Sequence, residues 1–310
     1  MTKLRPPIVA AALALVASLV SRPAFAQQHV ALPPVNLGAS SFMDGPGGPG
    51  LFARVPIALF TASRFVGSNG QTLPGNNRLV TISEISHVAY APPFKVLGGY
   101  LGVELLVPVV FVDLTTPAGE ATVTGLGDIT FSPLVFQAPN VTLFGRPFFQ
   151  RLDVDVNAPT GEYRPNALAS VGNHVWSLNP YYAFTWLLTD SLETSWRLHY
   201  LWNSTNDSPG PGYGATTIQP GQAIHLNGAF SVEVTGPLRA GVAGYFLQQI
   251  TDSQANGRAV GGSRERVAAL GPGLYAMTGS TQLIANAYGE FAAENRPVGA
   301  RVDIVAIHVW

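Results

Sequence analysis

Residues 148–159 read Phe-Phe-Gln-Arg-Leu-Asp-Val-Asp-Val-Asn-Ala-Pro. The even positions Phe148, Leu152, Val154, Val156 and Ala158 are apolar, with Gln150 the exception, while Arg151, Asp153, Asp155 and Asn157 fill odd ones. No helix sorts residues this way, because only a strand turns successive side chains to opposite faces. Strands of soluble sandwiches run to about 5–6 residues, whereas this one has the length needed to cross a bilayer at a tilt. The uncharged face is the one that lipid accepts.

The pattern recurs. In 192–203, Leu192, Trp196, Leu198, Tyr200 and Trp202 alternate with Glu193, Ser195, Arg197, His199 and Asn203. In 222–235, Ile224, Leu226, Phe230, Val232 and Val234 oppose His225, Asn227, Ser231 and Glu233. Twelve strands are expected: 51–65, 78–90, 98–112, 124–137, 148–159, 176–189, 192–203, 222–235, 238–250, 265–277, 282–294 and 298–310. Long Gly/Pro/Asn-rich joins at 66–77, 113–123, 160–175, 204–221 and 251–264 alternate with short ones at 91–97, 190–191, 236–237 and 278–281. Two joins break the alternation, the longer one at 138–147 and the short one at 295–297. Alternating joins are the habit of outer-membrane barrels. The expected fold is all-β, an antiparallel transmembrane β-barrel of about twelve strands, and the even number places both termini in the periplasm.

Composition agrees. Of 310 residues, 47% are hydrophobic and 11% charged, with no Cys, 33 Gly and 25 Pro. Soluble domains carry about 25% charged residues. Without Cys there are no disulfides, zinc-thiolate sites or lipidated cysteines. A net charge of -1 with no long basic run removes nucleic acid as a partner.

Lys3 and Arg5 precede the uncharged run 8–20, and Ala24-Phe25-Ala26 closes it as an A-x-A site, so residues 1–26 are expected to be a cleaved signal peptide. Cleavage removes Lys3, Arg5 and Arg22 from the 17 basic residues and none of the 18 acidic ones, leaving -4. Residues 27–50 are expected to be a periplasmic N-terminal segment, with no obvious plug, and 51–310 the barrel. The last residue, Trp310, resembles the terminal aromatic that the barrel-assembly machinery reads.

Strand parity sends Asp128, Arg151, Asp153, Asp155, Glu193, Arg197, His199, His225, Glu233, Arg239, Glu290, Arg301 and Asp303 into the lumen, together with Glu104. Mixed signs there allow cross-lumen ion pairs and a restricted opening. Trp176, Tyr182, Trp186, Trp196, Tyr200 and Trp202 fall on the lipid face, where interfacial girdles take amphipathic rings. Catalysis is not expected: Ser195 and His199 stand about 13 Å apart along one strand, leaving only a residue such as His225 from another strand as a partner. No G-x-S-x-G, H-E-x-x-H or P-loop occurs. Asp153, Asp155 and Asn157 lack EF-hand spacing, and Arg151 and Arg197 offer them charge partners. Neither cofactor nor metal is expected. Pro159-Thr160-Gly161 reads as a strand stop and rim turn, with Gly161 free to take positive φ.

Asn157-Ala158-Pro159-Thr160-Gly161-Glu162-Tyr163, followed by Gly172-Asn173-His174-Val175-Trp176, resembles the outer-membrane proteins of the phenol meta-cleavage pathway. Gly125-Leu126-Gly127-Asp128, Leu192-Glu193-Thr194-Ser195, Gly221-Gln222, His225-Leu226 and Gly271-Pro272 extend the resemblance over most of the chain from about residue 45. It implies a barrel in a Gram-negative outer membrane, among lipid and lipopolysaccharide. It also implies distant similarity to fatty acid and toluene channels, and inward passage of small hydrophobic or aromatic solutes. One departure is Gly212-Tyr213-Gly214, where relatives carry an acidic stretch. The alternative is a barrel that transports nothing and serves as a surface interaction or structural element.

Overall fold

The computed structural model describes residues 29–310, so the signal peptide expected over 1–26 lies outside the described residues. The barrel strands are β1 (Gly50–Phe65), β2 (Arg78–Ala91), β3 (Tyr100–Thr116), β4 in two pieces (Gly119–Leu126 and Thr130–Gln137), β5 (Arg146–Asn157), β6 (Ser177–Leu187), β7 (Leu192–Asn203), β8 (Ala223–Thr235), β9 (Leu238–Gln249), β10 (Arg266–Thr278), β11 (Thr281–Glu294) and β12 (Pro297–Val309). Each pairs antiparallel with its sequence neighbours, and β1 pairs with β12 from Phe52↔Val309 to Phe65↔Pro297, which closes the cylinder. Closure leaves no open edge along the seam, a condition for a sheet in lipid.

Alternation is plain in burial. Along β7, Glu193, Ser195, Arg197, His199 and Asn203 are buried, while Leu198, Tyr200 and Trp202 are exposed. Trp176, Tyr200 and Trp202 lie towards the long-loop end of β6–β7, and Trp186 and Trp196 towards the other. Trp176 and Trp186 are ten residues apart, about 34 Å of extended chain or roughly 25 Å of height at barrel tilt, matching the apolar band of such barrels. On this strand pair the rings sit at two levels of the outward face.

The third and fourth strands depart from expectation. The join expected at 113–123 is mostly strand: β3 and the first piece of β4 continue as a hairpin to Thr116↔Gly119, turning through Pro117 and Ala118. β4 then breaks at residues 127–129, opposite Pro108, a residue with no N–H to lose from the ladder. The long join at 138–147 is itself ordered. Val141–Leu143 pairs back on β5, and Phe144 and Gly145, both at positive φ, make the turn.

The described ends of the chain lie apart. Gly50 and Trp310 do share the short-turn end, where the Trp310 N–H donates to Leu51 O at 3.0 Å. The segment before β1, however, runs back up the inside of the barrel. His29 Nε2 is 3.4 Å from Glu265 Oε1, and Val30 O accepts from Ser253 Oγ, both beside the long loop between β9 and β10. The two described ends of the chain therefore lie at opposite ends of the barrel.

Candidate functional site

Residues 29–49 contain Pro33, Pro34, Pro46 and Pro49 and four glycines, too many breakers for a helix or a paired strand. Backbone groups inside a barrel must still find partners. Here the wall supplies them from side chains. Gly38 N–H donates to Asn227 Oδ1 at 2.7 Å and Gly45 N–H to Thr185 Oγ1 at 2.8 Å. Gly38 O accepts from the Tyr288 hydroxyl at 2.8 Å, Gly45 O from Gln137 Nε2 at 3.0 Å, and Ala39 O from the Arg54 guanidinium. Asn286 Nδ2 reaches Ser41 Oγ at 3.1 Å. The stretch expected as a periplasmic segment without a plug is thus a strap through the lumen. Part of the wall's polar face bonds to it, and the rest bonds to itself.

Apolar and ionic anchors fix its register. Leu37 and Phe42 join a buried cluster with Tyr245, Leu247, Tyr275, Ile284, Tyr288 and Val305. Phe42 fits because position 273 is Gly: a Cβ there would lie 2.6 Å from the ring. Full burial of such a ring contributes about 1.5–3 kcal/mol. At Gly45 the strap touches the wall backbone, where an added Cβ would stand 2.3 Å from Thr185 N. Between these points Asp44 accepts from Arg197 Nε at 2.8 Å and Nη2 at 2.6 Å, with Arg151 at 3.7 Å.

The strap divides the remaining space. A cavity of about 560 Å³ at the long-loop end is lined by Leu32, Val35, Phe60, Leu79, Leu247 and Arg296 among others. A second of about 350 Å³ at the short-turn end is lined by Phe52, Arg54, His87, Arg151, Ile284 and Ile307 among others. Strap residues border both, and the crossing at Gly38 and Ala39 stands between the outer lining at Leu37 and the inner lining from Ser40.

A family model described as "Putative MetA-pathway of phenol degradation" matches residues 62–305. The chain belongs to that family. Among solved structures, an outer membrane channel from Pseudomonas putida F1 superposes with a TM-score of 0.75 at 17% identity, covering 89% of this chain and 100% of that one. The β domain of the Bordetella autotransporter BrkA (TM-score 0.46, 13% identity, 85% and 100% covered) and the CymD monoaromatic hydrocarbon channel (TM-score 0.42, 8% identity, 85% and 89% covered) are more remote. No curated protein matches in sequence. The phenol-degradation family member shares with the Pseudomonas putida outer membrane channel its fold, a closed antiparallel β-barrel.

Most of the residues that parity sends inward are buried among polar partners. Arg197 and Arg151 hold Asp44. Tyr181 donates to Asp153 at 2.8 Å, and Ser132 to Asp155. Glu193 accepts from Ser195 and Ser231 at 2.8 and 2.7 Å. The rings of His199 and His225 stack at 4.1 Å, and His225 faces Asn179 rather than Ser195. Arg239 donates to Ser231, Glu290 accepts from Tyr245, and Arg301 pairs with Asp303 at 2.8 Å. Glu233 departs: it sits half-exposed at the short-turn rim, 3.8 Å from Arg239, where a bulge shifts the register of β8. Among the residues that parity missed are Arg54, hidden among Phe52, Pro56 and Ala58, His87 on β2, and Asp44, which lies on no strand.

Asp128 departs as well. It occupies the break in β4 and accepts from Gly161 N–H, Asn173 N–H and Asn173 Nδ2, each at 2.9 Å. It pins the 158–176 loop to the rim. Gly161 is absent from the positive-φ residues; its need is proximity, since a Cβ would meet Gly127 C at 2.7 Å and Gly172 Cα at 2.8 Å. The two family motifs are therefore one staple. Asp128→Ala is expected to expose this loop to limited proteolysis while leaving the heat-modifiable mobility of the barrel unchanged. An equally resistant loop would assign its order to other contacts.

Proposed function

We propose that this protein is an outer-membrane channel for the uptake of small hydrophobic or aromatic compounds, gated by the strap of residues 29–49. The observation that carries this reading is the pair of largely apolar cavities at opposite ends of one lumen, divided where the strap crosses at Gly38 and Ala39. Membership of a phenol-degradation family and the fold shared with an outer membrane channel support it. The long loops face outward among lipopolysaccharide, and the short turns and Trp310 face the periplasm, where the assembly machinery reads the last strand. The signal peptide of residues 1–26 is removed on export. Solutes enter the outer cavity, and their passage requires the strap to shift. The lumen side chains serve to seat the strap and shape that route. Ser195 bonds to Glu193 and Thr185 and to no imidazole, which favours transport over catalysis.

The test uses the absence of native Cys. Ser41 and Asn286, whose side chains meet at 3.1 Å, are both replaced by Cys to tie the strap to β11. Uptake of phenol and toluene is measured in cells lacking the native protein and in liposomes, against empty controls. Flux above control that falls on oxidation and returns on reduction is expected. Flux that ignores the cross-link would remove the gate, and none in the reduced or unaltered protein would favour the non-transporting surface barrel.

A further inference from the structure

The cavity at the short-turn end holds more positive than negative charge. Three guanidinium groups line it, from Arg54, Arg151 and Arg197, against two carboxylates, from Asp44 and Glu104. Asp44 is held by Arg197 and Arg151, and Glu104 lies 2.9 Å from His87 Nε2. Arg54 is 7% exposed, donates once to a backbone carbonyl, and its Nε has no hydrogen-bond partner among the described residues. The Nε of Arg151 is in the same position. A desolvated guanidinium nitrogen without a partner is costly, and Arg54, on the cavity lining, leaves one unfilled.

The remaining walls are apolar. Phe52, Val135, Ile284, Ile307 and Val309 face the same space, whose volume of about 350 Å³ suits a small organic molecule. The lining extends through Gly48 and Gly50 to Val309, so the cavity meets the short-turn end of the lumen. We propose that this cavity binds small monocarboxylates with an apolar body, such as an aromatic acid, the carboxylate resting against Arg54 and the ring against the β1–β12 wall. A carboxylate is ionised at neutral pH and offers two oxygens to a guanidinium fork, whereas a phenol or hydrocarbon supplies no charge. This inference deepens the channel reading and rests on it for the claim that such acids travel, but not for the claim that they bind.

The experiment titrates the purified full mature barrel in detergent with benzoate, benzyl alcohol and acetate by calorimetry. Benzoate is expected to bind about tenfold or more tightly than either, since the alcohol lacks the charge and acetate lacks the ring. Arg54→Met removes the preference. Because that change also frees Ala39 O, a second variant, Ile307→Trp, fills the cavity from the wall without touching a guanidinium, and it too weakens benzoate by about tenfold. Equal binding of benzoate and benzyl alcohol overturns the site, as does an Arg54→Met protein that binds benzoate unchanged. Loss in Arg54→Met with full retention in Ile307→Trp places the acid elsewhere and overturns it also. Selective binding without solute flux leaves the site standing and removes the channel; flux without selectivity does the reverse.

Discussion

Removing residues 29–46 from the mature chain is expected to raise single-channel conductance on the order of tenfold and to admit sugars that the intact protein excludes. The strap crosses the whole lumen, from Val30 beside Ser253 to Gly45 against Thr185. Its loss frees Gln137, Thr185, Asn227 and Asn286, and with them Arg54, Arg151 and Arg197, all of which the water filling an opened lumen can solvate. The barrel itself does not depend on the strap for its ladder, because β1 and β12 close the seam directly. Planar-bilayer recordings and liposome swelling with arabinose provide the check, with heat-modifiable migration confirming an intact barrel. Unchanged conductance would mean that these residues do not occupy the lumen in the membrane.

Asp44→Ala is expected to unseat the inner half of the strap, with the wall left in place. Asp44 and Arg197 are 12% and 7% exposed, and removing one member of so buried a pair costs about 3–5 kcal/mol. The exposed Arg146–Asp190 pair is a fair contrast. Its side chains are 40% and 97% exposed, and such pairs contribute about 0–1 kcal/mol. Recordings of Asp44→Ala should therefore show frequent large openings, whereas Asp190→Ala should match the parent. Replacing Arg197 by Met as well should quiet part of the noise, because the second change removes one of the two cations left uncompensated, Arg151 being the other. If Asp44→Ala and Asp190→Ala behave alike, the Phe42 and Leu37 contacts rather than the ion pair hold the strap.

The strands were legible because two solvents meet across them. Lipid demands Leu198, Tyr200 and Trp202 on one side of β7, and the interior demands Arg197, His199 and Asn203 on the other, so parity alone locates them. The third and fourth strands read poorly because Gly and Pro, which usually mark loops, here mark a hairpin extension and a break stapled by Asp128. The strap was not legible. Its residues follow no period, and its partners are side chains contributed singly by distant strands, among them Asn227, Thr185, Asn286 and Arg54. Abundant Asn, Ser and Thr on the inner face suit a watery pore as well as a seated segment, so they do not distinguish the two. Asp44, without a strand to give it parity, offered no sign that it would carry two arginines.

The passage of residues 29–49 inside a closed cylinder imposes an order of events. Once β1 has zipped to β12, the segment is threaded like an axle through a ring formed by its own chain. It can then be withdrawn only lengthwise, end first. A free terminus can be drawn in or slid out by a few residues at a time, each step trading one wall contact for the next. A folded domain placed ahead of residue 29 cannot follow. Assembly must therefore bring the segment into place before the seam shuts or feed it in afterwards as an unfolded thread, and the finished sheath allows it no sideways exit.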